Sequence, residues 1–262
     1  MRNNIRAFVE AAAGAFELEG PVYEFGSFQV PGQQQIADMR TLFPGQPYVG
    51  CDIRPGLGVD RLEDLADLSL ADESARTIIC VETLEHVFDV GRAASELIRV
   101  LAPGGTLLLS TPFDFSIHGY PSDYWRLTPV CLQRLFAPLD AVLVGWQGPE
   151  KHPHTVFAVA CKAPLTARYV ERARRFAAAY TAWCRDAARR EAWPRRLKRR
   201  IWTCLGTRSE RRRWREYHQV KIGLDAIGAD SSQPSDGGRP AERTAVQTPG
   251  GRDQRLATQL IP

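Results

Sequence analysis

The chain has 262 residues, 44% hydrophobic and 24% charged, enough for one sizeable core and for one large domain or a domain with an appendage. Its net charge of +4 hides a division: residues 1–163 hold 12 Lys/Arg against 20 Asp/Glu, residues 164–222 hold 18 against 5, and the last forty hold 4 against 5. No apolar run approaches the length of about twenty residues that a membrane span needs, and the opening MRNNIRAFVEAAAGAFELEG, charged at both ends, reads as neither a signal peptide nor a span.

Six cysteines (51, 80, 131, 161, 184 and 204) are scattered without a CxxC pair or a histidine at ligand spacing. They read as thiols in a reducing cytoplasm, and no metal centre is expected. An acidic body followed by a basic arm implies two parts with different jobs.

In chain order, IRAFVEAAAGAF (5–16) predicts a helix and PVYEFG (21–26) a strand. GQQQIADMRTLF (32–43) has helical spacing, YVGCDI (48–53) is a second strand, and VDRLEDL (59–65) a weaker one. RTIICVE (76–82), the helix VGRAASELIRVL (90–101) and the strand GTLLLSTPF (105–113) follow, with Pro103-Gly104-Gly105 closing the helix and launching the strand. Thr128 before Pro129 predicts the cap of a helix over 128–138. The last two strands, 140–146 and 154–163, are joined too closely for a helical crossover and so read as an antiparallel hairpin. Residues 1–163 thus predict an α/β domain with a mostly parallel sheet.

Residues 164–225 predict a basic helical extension, with Val170, Ala173, Phe176, Ala177, Tyr180 and Trp183 at helical spacing. Leu197, Ile201 and Leu205 form a second apolar line among basic residues. With Trp183, Trp193, Trp202 and Trp214, they suit peripheral contact with an anionic membrane face, or a stripe packed on the body. No RNA- or DNA-binding motif occurs. Residues 226–262, rich in Gly, Pro, Ser and charge, predict a disordered tail.

Chemistry gathers at the carboxyl ends of the strands, where open α/β sheets bind ligands. Glu24 and Gly26 end the first strand. Asp52 ends the second, placed to accept from ribose hydroxyls, and Asp64 with Leu65 could meet an adenine edge and face. A nicotinamide cofactor would want GxGxxG so that a helix start can meet a pyrophosphate. This turn offers Gly26 alone, with Phe28 in the next glycine's place. After the fifth strand, FDFSIHGYPSDYWRLTP (113–129) is dense in His, Asp, Tyr, Trp and Arg, and reads either as an acceptor-binding lid or as a capping loop packed by Tyr124 and Trp125.

The run ICVETLEHVFDVGRAASELIRVLAPGGTLLLSTPF (79–113) closely resembles the class I S-adenosylmethionine-dependent methyltransferases of the type 11 kind, and ordered blocks extend the resemblance over about residues 20–163. It implies a Rossmann-like seven-stranded sheet, mostly parallel with an antiparallel last hairpin, and S-adenosylmethionine as cofactor. It further implies that Glu24, Gly26 and Ser27 wrap the methionine part, that Asp52 and Ile53 hold ribose and adenine, and that Asp64 and Leu65 contact adenine. Val81, Glu82 and Leu84 would lie beneath the methyl donor, with Glu85 and His86 opening the next turn. A small-molecule, glycan or lipid-linked acceptor is expected. His118 and His86 are the candidate bases, because neutral imidazole accepts a proton near neutral pH. The other reading is a non-catalytic binding module that keeps the fold. The expected place is the cytoplasm, with possible contact at the inner membrane face.

Overall fold

In the computed structural model, which describes residues 2–119, 122–163, 166–190 and 193–223, eight strands form one sheet. They are β1 (Val22–Phe25), β2 (Tyr48–Asp52), β3 (Arg61–Leu62), β4 (Ala75–Val81), β5 (Leu101–Pro112), β6 (Ala141–Gln147), β7 (Thr155–Cys161) and β8 (Val220–Ile222). The spatial order is β3-β2-β1-β4-β5-β7-β6-β8. β1 to β5 pair in parallel, while β7 runs antiparallel between β5 and β6. The strand order reverses between β1 and β4, so the carboxyl ends of these two strands flank the crevice of the switch point.

Near-continuous apolar runs explain the central strands, because a parallel sheet is covered on both faces. On one face lie α1 (Asn3–Phe16) and α5 (Ala167–Arg190), and on the other α3 (Val90–Val100) and α4 (Pro129–Leu135). Local signals set the ends of the latter pair: Asp89 caps α3 by accepting from the Arg92 amide at 3.0 Å. Thr128 caps α4 by accepting from Cys131 at 3.1 Å, with Pro129 at the first helical position.

Three features depart from the sequence reading. The helix expected over 32–43 is only α2 (Gln34–Ala37) and a 3-10 turn at Arg40–Leu42. Asp38, extended at φ −74° and ψ 94°, breaks the run, and its carboxylate accepts from the Arg40 amide at 3.1 Å. β5 begins at Leu101, before the Pro-Gly-Gly segment, which forms an irregular stretch of the strand and not its start. The basic arm is not wholly helical: after α5, α6 (Trp193–Leu205) and α7 (Arg208–Arg215) it returns as β8, which adds an eighth strand beyond β6. The tail expected over 226–262 lies outside the described residues.

α5 buries Tyr169, Ala173, Phe176, Ala177, Tyr180 and Cys184 against the body. Phe8 of α1 sits at their centre, with ring centroids 5.1 Å from Phe157, 5.8 Å from Phe176 and 6.0 Å from Tyr180. Phe8 is fully buried, and edge-on aromatic pairs add to the effect of area burial. Phe8→Ala is expected to cost about 3–5 kcal/mol, read from urea unfolding monitored by circular dichroism. A loss below about 1 kcal/mol would show that this ring cluster does not hold α1 and α5 to the sheet.

Candidate active site at the switch point

β1 is followed by Gly26, whose φ of 82° belongs to the left-handed region. A side chain here would meet Thr83: an added Cβ would lie 2.0 Å from Thr83 Oγ1. The glycine therefore lets the β1 turn close on the β4 turn. The amides of Gly26 and Ser27 both donate to the Cys51 carbonyl. Ser27 is buried, and its hydroxyl has no hydrogen-bond partner among the described residues.

Phe28 does not point across the crevice. Its ring lies against Gly56, where an added Cβ would come within 2.3 Å of it, and the Arg54 guanidinium stacks over it at 4.5 Å. At Gly58, with φ 84°, an added Cβ would come within 2.6 Å of the Ser27 carbonyl oxygen. The glycines missing from the first turn thus reappear in the facing β2–β3 loop, where the two backbones meet.

Asp52 is nearly buried at the end of β2. One oxygen accepts from the Phe28 amide at 3.3 Å and the other from the Arg54 amide at 3.0 Å. Beside it Ile53 is 67% exposed, an apolar surface at the mouth of the crevice. Asp64 is exposed, with its carboxylate on the Ala66 amide, and Leu65 is buried next to it. Val81 is buried at the end of β4. Glu82 follows with φ 52°, which turns the chain out of the strand. Its Oε2 accepts two bonds from Arg2, from Nε at 3.1 Å and Nη2 at 2.6 Å, and its Oε1 one from Ser110 Oγ at 3.2 Å. Arg2 was not foreseen: the contact joins residues 80 apart, and nothing local in the sequence marks it.

Glu24 lies under this edge, fully enclosed, accepting from the Tyr48 hydroxyl at 2.6 Å. Burial pushes its carboxyl up to about 7, against the lowering effect of Tyr48 and with Asp38, Arg40 and Asp52 as the nearby charges. The Tyr48 phenol is pushed up likewise, by burial and then by Glu24.

The segment after β5 folds back on the β4 turn. The amides of Tyr124 and Trp125 donate to the Glu85 carbonyl, and the Trp125 indole donates to Val87 and Phe88 carbonyls at 3.0 and 3.2 Å. Arg126 grips Asp123 through two bonds of 2.6 and 2.8 Å and holds its carboxyl well below the usual range. This brings His118 and His86 together, ring centroids 4.9 Å apart, each with Nε2 3.8 Å from Glu85 Oε1. Gly119, with φ 60°, makes room, since a Cβ there would stand 2.9 Å from the His86 ring. Around the mouth Phe88, Phe115, Ile117, Tyr124 and Trp125 stay exposed. The segment is packed as a capping loop and also presents an aromatic rim. Glu85 lay in the sequence beside a motif, but its complete burial depends on a segment some thirty residues on and could not be read locally.

The donor set suits S-adenosylmethionine better than a dinucleotide. Two carboxylates and an exposed aliphatic surface fit hydroxyls, an amino group and an adenine ring. The first helix after Gly26 starts only at Gln34 and has four residues, so no helix start faces the turn to receive a pyrophosphate.

Glu24 yields a pH prediction. Its proton leaves the unfolded chain near the ordinary carboxylate value but leaves the folded protein only near 7. Stability is therefore fully present at low pH and falls as pH rises through that window. Between about pH 5 and 8 the protein is expected to lose up to about 3 kcal/mol that Glu24→Gln retains. Parallel pH-dependent unfolding curves for the two proteins would disprove the buried, protonated carboxyl.

Residues 34–109 match the family described as Methyltransferase domain. Over 77 residues the chain is 40% identical to a probable S-adenosylmethionine-dependent methyltransferase of Mycolicibacterium smegmatis, which covers 29% of this chain and 25% of that protein. The chain thus spans about a quarter of the length of the curated relative it matches. A solved SAM-dependent methyltransferase of Thermotoga maritima, described as a possible histamine N-methyltransferase, aligns with 60% of this chain and 91% of its own at 18% identity and a TM-score of 0.43. One from Archaeoglobus fulgidus aligns with 60% and 94% at 14% identity and a TM-score of 0.46. The matched residues carry β2 to β4 and most of β5, with Asp52, Asp64, Glu82, Glu85 and His86, and over them the chain is similar to S-adenosylmethionine-dependent methyltransferases.

Proposed function

We propose that the chain transfers a methyl group from S-adenosylmethionine to a small-molecule, glycan or lipid-linked acceptor held between the β4 turn and the 113–128 segment. The observation that carries this is the buried Glu85 carboxylate with His86 and His118 facing it, a few residues from Glu82 at the switch point. Asp52 and Ile53 would hold the ribose and adenine, with Asp64 and Leu65 at the far side of the ring. Gly26, Ser27, Val81 and Glu82 would line the methionine part, with Glu24 beneath. The cofactor supplies a methyl group on a sulfonium, open to in-line displacement by a lone pair while the methyl–sulfur pair returns to sulfur. The protein's part is alignment and exclusion of water, worth effective molarities on the order of 10⁵ M or more. Where the acceptor atom carries a proton, His118 or His86 is placed to assist its removal.

One observation favours a non-catalytic module instead: Asp52 spends most of its acceptor capacity on Phe28 and Arg54. Titration calorimetry with S-adenosylhomocysteine separates the two. Saturable binding is expected, weakened about tenfold to a hundredfold by Asp52→Ala. No binding at millimolar ligand favours the module, and an unweakened variant refutes the assigned ribose site.

The arm supports a second surface. On α6, Leu197, Ile201 and Leu205 are exposed at successive turns, and the sequence around them carries Arg195, Arg196, Lys198, Arg199 and Arg200. No helix among the described residues is long and apolar enough to cross a membrane. This stripe suits the surface of an anionic bilayer, each basic residue adding about 1 kcal/mol near it. The protein is expected to sediment with phosphatidylserine vesicles at low salt and to be released by high salt. Equal recovery with neutral vesicles, or none with either, would refute that surface.

A further inference from the structure

We infer that Glu85, His86 and His118 form a site for a divalent first-row metal ion, with zinc the ion their chemistry fits best. The three offer ligand atoms within 4.8 Å of one another. Glu85 Oε1 lies 3.8 Å from each histidine Nε2, too far for a hydrogen bond. It is close to the separation of about 3.4 Å that ligands adopt around a tetrahedral ion with bonds near 2.1 Å.

The hydrogen bonds fix which ring atoms are free. His86 Nδ1 is 2.5 Å from the Ser122 carbonyl, a pure acceptor, so Nδ1 carries the hydrogen and Nε2 of the neutral ring presents its lone pair. His118 Nδ1 sits 3.3 Å from the Ser116 carbonyl and 3.2 Å from Asp123 Oδ2, which assigns its tautomer in the same way. Two imidazole lone pairs and a carboxylate therefore converge. Glu85 is fully buried, and neither of its oxygens has a hydrogen-bond partner among the described residues. A buried carboxylate in that state is costly. A cation removes that cost.

The surroundings are those of a metal site as well. Asp123 behind His118, itself gripped by Arg126, completes a carboxylate–histidine–metal relay that orients the ligand ring. Gly119 sets the place of the His86 ring from the other side. Three protein ligands leave a position open, as catalytic zinc sites do. A consequence resting on the methyl-transfer reading is that the acceptor offers a hydroxyl oxygen to that position. An ion held there would lower the hydroxyl's pKa so that its proton leaves to solvent, freeing the oxygen pair to bond the methyl carbon as the methyl–sulfur pair returns to sulfur. With both imidazoles committed to an ion, proton loss would be assisted through it, in place of the direct proton acceptance open to the metal-free site. The sequence reading, which rested on cysteine spacing, expected no metal centre; the proposed site departs from it.

The test titrates chelator-stripped protein with Zn²⁺ by calorimetry and with Co²⁺ by visible absorption. One equivalent is expected, with weak ligand-field bands and without the intense thiolate charge transfer that the exposed Cys204 would give. His86→Ala and His118→Ala, each checked for cooperative unfolding, should lose binding at least a hundredfold. Asp123→Asn, which keeps all three ligands, should lose about 10–100-fold, and Cys204→Ser should bind as the parent does. Absence of saturable binding, thiolate bands, or histidine variants that bind like the parent would overturn the site. S-adenosylhomocysteine titration of the same preparation keeps the outcomes apart. Cofactor binding without metal binding refutes this site alone, and metal binding without cofactor binding refutes the methyl-transfer reading and leaves the site standing.

Discussion

The closest approach in the site is the one between Gly26 and Thr83. Thr83 Oγ1 shares its one hydrogen between the Phe25 and Val81 carbonyls, the last residues of β1 and β4, so one hydroxyl ties together the two strands that flank the switch point. It can do so only because Gly26 has no side chain. Glu82 then leaves β4 with positive φ, at a cost of about 1–2 kcal/mol for a residue with a Cβ, and the turn that follows sends Leu84 and Glu85 inward. Everything chemically distinctive in the molecule hangs on that turn: Glu82 to Arg2, Glu85 to the histidines, and the Glu85 carbonyl to the 113–128 segment. Gly26 thus serves packing between turns, where a dinucleotide-binding loop would use its glycines for backbone approach to a phosphate.

Much of this was legible. The strands and the caps at Asp89 and Thr128 depend on residues a few positions apart, so the parallel body and its final hairpin follow from local patterns. The resemblance placed Asp52, Asp64 and Glu82 on strand ends or the turns beyond them, and the structure puts them along one edge. The misses are non-local. β8 has three residues and pairs with a strand more than seventy positions earlier, so no periodicity could announce it. The helix over 32–43 failed because Asp38 leaves helical geometry where the pattern was still amphipathic. Phe28 looked like an obstacle in a cofactor loop. The compensating glycines at 56 and 58 stand in plain view in RPGLGVD, but their relation to Phe28 exists only once β1 and β2 are side by side.

The arm shows the difference between where charge is and what it does. Along α5 the inward positions are tyrosine, phenylalanine, alanine and cysteine. The arginines lie outside that stripe, and of those that pair with the body Arg168 and Arg172 share a single partner, Glu17. Exposed pairs of this kind contribute little to stability. The body therefore holds α5 through its aromatic stripe more than through these charges. α7 is the exception in position: its Arg213 pairs with Asp114, at the start of the segment over the site.

That pairing, with Arg2, closes the site from two sides. Arg2 comes from the residue before α1, holds Glu82, donates to the His154 carbonyl and lies over the Phe115 ring at 5.3 Å. α1 is fixed in turn by Phe8 against Phe176 and Tyr180 of α5. α1 is thus held to α5 by an aromatic cluster, while the residue before it, Arg2, reaches Glu82 at the end of β4. A ligand that seeks Glu82 competes with a guanidinium whose two N–H groups converge on one oxygen of a carboxylate already partly desolvated. Its gain must exceed that bond, which makes the N-terminal residues part of the binding equilibrium and not a passive cover.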